Sequence, residues 1–555
     1  MKKSRSLLGT GLAVLLALVL AVLILCPLVM IFAKAAIVDG RLDLSHAAAT
    51  ILNSDNLITI RNSLLLGVCV VLGSTVIAAP LAFLFSRTEL AKKKWLDIVF
   101  MIPFMTPPYI ASMGWILFMQ KNGLFQQLFP FTGAWSEGFF SFGGLVLVMS
   151  LHVFPFMLSI LKNAMLNIPT SLEESGAVFG GSFFYRLRRI LAPLLGGNYA
   201  IGALLVFVKT LSEYGTPATL GRRIGFYVFT TDIHRHATTA PVDFASAASL
   251  SSVLVCICLL LWMLQNHITA KNSFRLVSGK GTRVAAKPLS GPAKAGAWGW
   301  IALVLLIAVG VPYFSVIATS LIKLRGYGLA PGNFTFQHYI DLFCENQKGV
   351  NAIVTSLFLA VVAASCAAVL GTMIVVVIRQ HKGKGAKLLE GVSLLPEMLP
   401  GIVLVIGIML FWNRIYRLIP LYNTLGIMIL AYVALFLPYT VQYVTSSFTQ
   451  INDSLLQAGS VFGGSPGYVL RRITLPLVIK GVATGWMMTF IISFRELVTA
   501  SLIAPPNTLV VSTYIMREFE QGSVSVGMAM AVICVLLTTT SLLVLNAITG
   551  REKGK

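Results

Sequence analysis

The feature that most constrains this chain is a series of twelve apolar stretches, each long enough to cross a lipid bilayer as a helix. A hydrocarbon core of about 30 Å requires roughly 20 apolar residues in helical form. Spanning β-strands would alternate polar and apolar residues, and these stretches do not. The predicted fold class is therefore an all-α integral membrane bundle. The predicted spans lie near residues 8–33, 57–86, 96–119, 142–162, 197–220, 244–266, 297–321, 352–378, 391–412, 425–446, 480–503 and 524–547.

The composition of the 555 residues agrees with this prediction, because 57% are hydrophobic and only 11% are charged. Soluble proteins carry about a quarter charged residues. A mean hydropathy of +0.84 therefore excludes an ordinary soluble enzyme, a disordered chain and a collagen-like fibre. The first apolar run is far longer than the apolar h-region of a signal peptide, which has 7–15 residues, so we expect a retained transmembrane helix.

The net charge of +22 would suggest nucleic acid in a soluble protein, but here its distribution along the chain decides its meaning. With the N-terminus inside, 27 of the 42 Lys and Arg residues fall in loops on the inner side. Membrane proteins concentrate these residues in cytoplasmic loops. We therefore expect both termini in the cytoplasm, the lipid bilayer as the surroundings, and no nucleic-acid partner.

An internal repeat divides the chain into two halves. Residues 174–193 read ESGAVFGGSFFYRLRRILAP and residues 457–476 read QAGSVFGGSPGYVLRRITLP, identical at 12 of 20 positions at an offset of 283. An even number of predicted spans separates the two copies, so both have the same orientation in the membrane. We therefore predict two parallel six-helix repeats. The same offset pairs Glu213 with Glu496, and an upstream offset of 293 pairs Ser63 with Ser356.

The repeated segment is polar, short and predicted to be cytoplasmic. Its glycine pairs are typical of a helix stop that needs positive φ, and the serine that follows each pair suits an N-cap. We therefore predict two short helices with a tight turn, the second ending before Pro193 or Pro476. The alternative is an interfacial amphipathic helix that only anchors the loop.

The segment resembles the EAA loop of binding-protein-dependent ABC import permeases. Glu174, Gly180 and Pro193 match its pattern in the first half, and in the second half Gln457 replaces the glutamate. The resemblance implies type I (MetI-like) permease domains fused head to tail, whose loops dock into the ATP-hydrolysing subunit. The implied ATPase-coupling residues are Glu174, Gly180, Gly181, Arg188, Arg189, Pro193, Gln457, Gly463, Gly464, Arg471, Arg472 and Pro476.

The spans and the resemblance together give a domain organisation. The two permease domains are predicted at residues 57–266 and 352–547, joined through a cytoplasmic linker at 267–296. The remaining segments are a first helix with an external loop at 1–56, a seventh helix with an external loop at 297–351, and a cytoplasmic tail at 548–555.

The chain contains no Gly-x-x-x-x-Gly-Lys-Ser/Thr phosphate loop, so we expect it not to be an enzyme that hydrolyses ATP. The resemblance implies two copies of an ABC ATPase subunit and an extracytoplasmic solute-binding protein as partners, with no cofactor. It also implies the bacterial cytoplasmic (inner) membrane. The alternative from another class is a gradient-driven secondary carrier, and an integral membrane enzyme ranks third because catalytic motifs are missing.

The solute is indicated by a further resemblance. Residues 493–497 (SFREL) and 504–508 (APPNT) are similar to signatures of ferric-iron importer permeases. The best interpretation is therefore ferric iron. The alternatives are thiamine, aminoethylphosphonate and polyamine, whose permeases share the architecture.

Two acidic residues lie about 15 residues into matching predicted spans. Ionisable residues inside a membrane are costly and therefore candidates for function. Glu213 and Glu496 could line the translocation pathway, where carboxylate oxygens suit a hard cation. The alternative is a structural role, with Glu496 held by Arg495 or by backbone donors. No ligand set for a metal is assigned.

Overall fold

The computed structural model describes residues 2–38, 41–271, 288–380, 383–451 and 453–550. Within these residues, ten helices are long and apolar enough to cross a membrane, and two bent helix pairs bring the number to twelve. Each lies at a predicted span, so the all-α membrane fold is confirmed. The spans are Gly11–Ala36, Ser54–Arg87, Lys94–Met105 with Pro108–Met119, Phe142–Leu166, Phe183–Ser212, Phe244–Thr269, Gly291–Leu321, Gln347–Gln380, Lys384–Met398 with Gly401–Arg414, Leu425–Thr449, Gly467–Phe494 and Val524–Val544.

The third and ninth spans are the bent pairs, with angles of 86° and 112° between their two helices. A proline pushes the residue before it out of the helical region towards extended backbone. Thr106 and Leu399, which precede Pro107 and Pro400, have ψ angles of 130° and 148°. The matching prolines therefore explain why both repeats break at the same place.

Four other spans pass through a short π-helical segment that ends two residues before a proline. A proline has no N–H and would clash with the carbonyl one turn earlier, and a π-bulge accommodates such an interruption without ending the helix. The four segments are Ala21–Leu25, Leu187–Leu191, Leu306–Gly310 and Leu470–Thr474, ahead of Pro27, Pro193, Pro312 and Pro476.

The helices form two compact units, and the first consists of residues 52–232 and 256–335. It contains the first repeat, apart from residues 233–255 with the first half of the sixth span, together with the seventh span. That span packs directly on the helix Pro108–Met119, since a Cβ on Gly114 would lie 2.7 Å from the carbonyl oxygen of Pro312. Only glycine permits such a close approach of two backbones.

The second unit consists of residues 1–51, 233–255 and 336–555. It contains the second repeat together with the first span. A Cβ on Gly407 would lie 2.5 Å from the carbonyl oxygen of Pro27, so the first span packs on Gly401–Arg414 in the same manner. The seventh span, which precedes the second repeat in the sequence, thus belongs to the unit of the first repeat. The first span, which precedes the first repeat, belongs to the unit of the second repeat. The predicted domain boundaries, drawn along the sequence, do not anticipate this exchange.

The remaining elements are short. The predicted linker lies mostly outside the described residues, which leave out 272–287, and the last five residues of the predicted tail are also outside them. The strands Ile37–Val38 and Arg41–Leu42 pair antiparallel, with Ile37 opposite Leu42. The other helices include Ser45–Leu52, Leu124–Leu128, Gly133–Phe139, Thr170–Val178, Phe229–Thr238, Gln337–Ile340, Asp453–Val461, Val498–Ile503 and Val511–Gln521.

Candidate functional site

The first repeated loop is built on a glycine turn. The helix Thr170–Val178 ends at Phe179, and Gly180 follows with a φ of +81°. The Gly181 N–H donates to the carbonyl of Gly176 at 2.8 Å, and the Gly180 N–H donates to that of Ala177 at 3.0 Å. These two bonds define a Schellman motif, which satisfies carbonyls that a helix end leaves unpaired.

The second repeated loop has the same turn. The helix Asp453–Val461 is followed by Gly463 with a φ of +82°. The Gly464 N–H donates to the carbonyl of Gly459 at 3.0 Å, which matches the bond from Gly181 to Gly176. The sequence prediction of a tight glycine turn therefore agrees with the structure in both repeats.

The helix after each turn begins at the predicted serine but does not end where we predicted. The Ser182 hydroxyl accepts from the Tyr185 N–H at 3.3 Å, and the Ser465 hydroxyl from the Tyr468 N–H at 3.2 Å. The expected end before Pro193 or Pro476 is wrong. Both helices run on through their π segments into the next span, because the π-bulge accommodates the proline.

The two helices of each loop pack closely where the motif has its glycine and isoleucine. A Cβ on Gly176 would lie 2.6 Å from Cδ1 of Ile190, and a Cβ on Gly459 would lie 2.4 Å from Cδ1 of Ile473. A larger residue at either glycine would have to displace the isoleucine side chain. The two motif positions are thus explained by one contact within each loop.

Each loop presents a pair of exposed apolar side chains, which we call the Val-Phe pair. Val178 and Phe179 are 84% and 90% exposed, and Val461 and Phe462 are 81% and 90% exposed. The two loops therefore expose the same two apolar side chains at matched positions. The exposed coupling candidates beside them are Glu174, Arg188, Arg189, Pro193, Arg471, Arg472 and Pro476, and the Gln457 side chain lies outside the described part.

The two loops differ in how they are anchored. In the first, Arg87 at the end of the second span forms an ion pair with Glu173 at 2.7 Å between Nε and Oε1. Arg87 Nη2 also donates to the carbonyl of Ile168 at 3.0 Å, and both charged side chains are largely buried. The second repeat has Gln380 and Leu456 at the two matching positions. Only the first loop therefore has this charged anchor.

The structure places Glu213 just beyond its helix, which ends at Ser212, and not within a helical span as predicted. Its carboxylate accepts from the Thr216 N–H at 3.0 and 3.1 Å. Its backbone carbonyl accepts from the Thr230 hydroxyl at 2.8 Å. Glu213 therefore occupies a helix break and stabilises the start of the next short segment.

Glu496 has the equivalent position in the second repeat, beyond a helix that ends at Phe494. Its two carboxylate oxygens accept from the N–H groups of Val498 and Thr499, both at 2.8 Å. Its carbonyl accepts from the Ser512 hydroxyl at 2.5 Å. Both glutamates are half-buried, and both have the backbone donors that the structural interpretation expected.

Sequence reasoning paired Ser63 with Ser356 but assigned them no role. The buried Ser63 hydroxyl accepts from the Phe229 N–H at 2.8 Å, and Ser356 accepts from the Val511 N–H at the same distance. These bonds fix the segment that follows each glutamate. Polar residues at matching positions inside apolar spans were the available signal.

Another carboxylate within a predicted span was also missed. Glu397 lies in the helix Lys384–Met398, just before the bend, and is exposed. It accepts a hydrogen bond from the Gln442 side chain in the span Leu425–Thr449. A charged residue within a predicted span was the signal that should have drawn notice. The first repeat has Phe104 at this position.

The chain is similar to known transport proteins. The family of binding-protein-dependent transport system inner membrane components matches at residues 64–273 and 360–553. The ferric transport system permease protein FbpB of Actinobacillus pleuropneumoniae is 25% identical over 505 residues, which are 88% of this chain and 71% of that protein.

Two further relatives match one repeat. The putative 2-aminoethylphosphonate transport system permease protein PhnV of Salmonella typhi is 26% identical over 47% of this chain and 97% of its own length. The spermidine/putrescine transport system permease protein PotC of Haemophilus influenzae is 25% identical over 44% of this chain and 92% of its own length.

The family match covers most of the chain, falls once on each repeat and includes both glycine-turn loops. The chain therefore belongs to the binding-protein-dependent transport system inner membrane components, as a fused two-domain permease of an ABC importer.

Proposed function

We propose that this permease imports ferric iron, delivered by an external binding protein and driven by two ATPase subunits that dock on the two repeated loops. Both termini are then cytoplasmic, in the bacterial inner membrane. ATP hydrolysis belongs to the partner subunits, and this chain supplies the solute route.

The observation that carries the docking proposal is the matched pair of exposed surfaces. The Val-Phe pair stands directly before the glycine turn in both loops, with the same exposure to within a few per cent. Burying an apolar side chain of this size contributes about 1.5–3 kcal/mol. Two equivalent surfaces are consistent with two copies of one partner.

Support for ferric iron comes from the extent of the relatives. The ferric permease named above matches across both repeats in a single chain, whereas the phosphonate and polyamine permeases match only one repeat. Fusion of the repeats is therefore shared with the ferric permease. The segments SFREL and APPNT point the same way.

The test is reconstitution of the full chain in vesicles with its candidate ATPase and binding protein, followed by uptake of radioactive iron. We expect uptake that requires ATP and binding protein and that is not reduced by excess thiamine, aminoethylphosphonate or putrescine. Uptake of one of these three in place of iron would overturn the substrate. Uptake without ATPase, abolished by an uncoupler, would identify a secondary carrier.

A second part of the proposal assigns Glu213 and Glu496 to the translocation pathway. They lie half-buried at matching helix breaks, and oxygen ligands suit a hard cation. Replacing both by glutamine removes the charge while keeping an acceptor for the backbone N–H groups. A pathway role predicts reduced iron uptake per folded molecule, and unchanged uptake would leave these residues a purely structural role.

A further inference from the structure

The compact unit of the first repeat contains an apolar groove of about 670 Å³. It lies among the second, fourth, fifth and seventh spans, and this volume falls within the range of small-molecule sites, about 300–1,000 Å³. Its walls are almost entirely apolar. They include Thr75, Leu84, Leu161, Leu195, Tyr199 and Trp300.

The groove has the depth of one lipid leaflet. Its wall on the second span extends from Thr75 to Leu84. Ten residues of helix at 1.5 Å each measure about 15 Å. Half of a hydrocarbon core of about 30 Å is about 15 Å. An acyl chain from one leaflet therefore matches the groove in length as well as in polarity.

At the end near the repeated loop, the groove adjoins a smaller cavity of about 190 Å³. The groove and this cavity adjoin, because they share the lining residues Phe83, Phe183 and Leu187. The smaller cavity, which we call the mouth, adds polar and charged walls. These are Arg87, Thr88, Thr170, Glu173 and Arg186.

The mouth carries a positive charge. Arg87 and Glu173 neutralise each other in their ion pair. Arg186 is different, because its Nη1 donates to the carbonyl of Glu173 at 3.4 Å and its Nε to that of Ser182 at 3.5 Å. These carbonyls are uncharged, so they leave the guanidinium charge uncompensated. The guanidinium of Arg186 in the mouth is therefore suited to binding a phosphate group.

We propose that the groove binds an anionic phospholipid from the leaflet on the side of the repeated loops. One acyl chain lies along the groove, and the headgroup phosphate lies in the mouth at Arg186. The second repeat has Val469 and Leu456 in place of Arg186 and Glu173, so the site belongs to the first repeat alone. The bound lipid would contact the helix that starts its coupling loop.

The test uses the purified full chain in mixed micelles and lipids whose acyl chains carry bromine, which quenches nearby tryptophan fluorescence. Trp300 lines the groove, and its contribution is the difference between the chain and its Trp300→Phe variant. We expect brominated phosphatidylglycerol to quench Trp300 at about one-fifth of the mole fraction that phosphatidylcholine requires, since one cation near the surface attracts an anionic lipid by about that factor. Excess inorganic phosphate should not relieve the quenching.

Variants separate the headgroup from the acyl chain. Arg186→Gln should remove the preference for phosphatidylglycerol, whereas Arg471→Gln in the other loop should keep it. Gly196→Leu and Gly296→Leu should abolish quenching by both lipids, because both glycines line the groove and a Cβ on either meets nothing within 4 Å. Leucine is also a better helix former than glycine, so these variants should fold.

Several results would overturn the proposal. They are equal quenching of Trp300 by the two lipids, a headgroup preference that survives Arg186→Gln, and quenching that persists when the groove is filled by leucine. Displacement by inorganic phosphate would show a plain anion site instead of a lipid site. An unchanged melting temperature of each variant in detergent would show that the readings come from folded protein.

Discussion

The two repeated loops share their turn and their exposed surface, but they differ in the residues that hold them to the bundle. Both have a tight turn at a glycine with φ near +80° and a Val-Phe pair before it. The first adds the buried pair Arg87–Glu173, where the second has Gln380 and Leu456. The surface proposed to face the ATPase is thus preserved, while the contact behind it has diverged.

This difference is informative about what each part requires. A surface that must fit the same partner twice has to keep its shape in both copies. An anchor only has to hold its own loop, and replacing a buried ion pair by packed apolar residues is often neutral. The following five experiments probe the comparison, from the largest expected effect to the smallest.

Breaking the anchor of the first loop should have the largest effect. Arg87→Ala leaves the Glu173 carboxylate buried without its partner, which costs about 3–5 kcal/mol. We expect the free energy of unfolding, measured by denaturant titration in mixed micelles, to fall by that amount. The matched control is Gln380→Ala in the second repeat, which should change it by less than about 0.5 kcal/mol.

The double variant Arg87→Gln with Glu173→Leu gives the first loop the residues of the second. We expect it to recover most of the stability lost in Arg87→Ala, because no unpaired charge remains. If the double variant is as unstable as Arg87→Ala, the charges are needed for more than their mutual neutralisation.

Truncating the exposed phenylalanine should affect binding of the partner and not folding. Phe179→Ala and Phe462→Ala should each weaken ATPase binding by about 2 kcal/mol, or about thirty-fold, as expected for a buried hot spot. Titration of the labelled ATPase against the purified permease measures this. The free energy of unfolding should stay constant, because both rings are 90% exposed. A loss confined to one loop would contradict two equivalent docking surfaces.

The glycine turns should be equally sensitive in both loops. Gly180→Ala and Gly463→Ala place a Cβ at positive φ, which costs about 1–2 kcal/mol. Thermal unfolding in detergent should show the same decrease for both variants. Gly467→Ala is the control. Gly467 lies inside a helix, and a Cβ added there meets nothing within 4 Å, so this variant should be more stable than the unaltered protein. Unequal decreases at the two turns would mean that their surroundings differ.

The N-caps should give the smallest effect. Ser182→Ala and Ser465→Ala each remove an acceptor for a backbone N–H at 3.2–3.3 Å, worth about 1 kcal/mol or less. Hydrogen exchange at the amides of Tyr185 and Tyr468 should accelerate by up to about five-fold. Exchange that stays unchanged in both variants would show that the serines do not cap these helices in solution.

Much of the fold could be predicted because its signals are local in the sequence. The span positions follow from runs of apolar residues, and the turn at Gly180 follows from a residue type that tolerates positive φ. The prediction that the loop helix ends at Pro193 was wrong. A proline in the sequence does not by itself distinguish a helix stop from a π-bulge that lets the helix continue.

The site was predictable only in part. The repeat identified Glu213 and Glu496, but placed them inside helices, whereas they lie in the breaks that follow. Their carboxylates accept from nearby N–H groups, but their carbonyls accept from Thr230 and Ser512. Those two residues lie in segments held by Ser63 and Ser356, more than a hundred residues away. Such pairing is invisible to periodicity, since it depends on which helices become neighbours.

The sequence by itself determined that this protein spans the membrane about twelve times, that its halves are repeats, and that each half carries a glycine-turn loop. Each of these follows from apolar length or from residue types within a few positions of one another. The tertiary structure alone decided that the first and seventh spans pack with the opposite repeat, and that Arg87 reaches Glu173. The physical reason is that lipid makes every span a helix but does not choose its neighbours, which are chosen by close packing at residues such as Gly114 and Gly407.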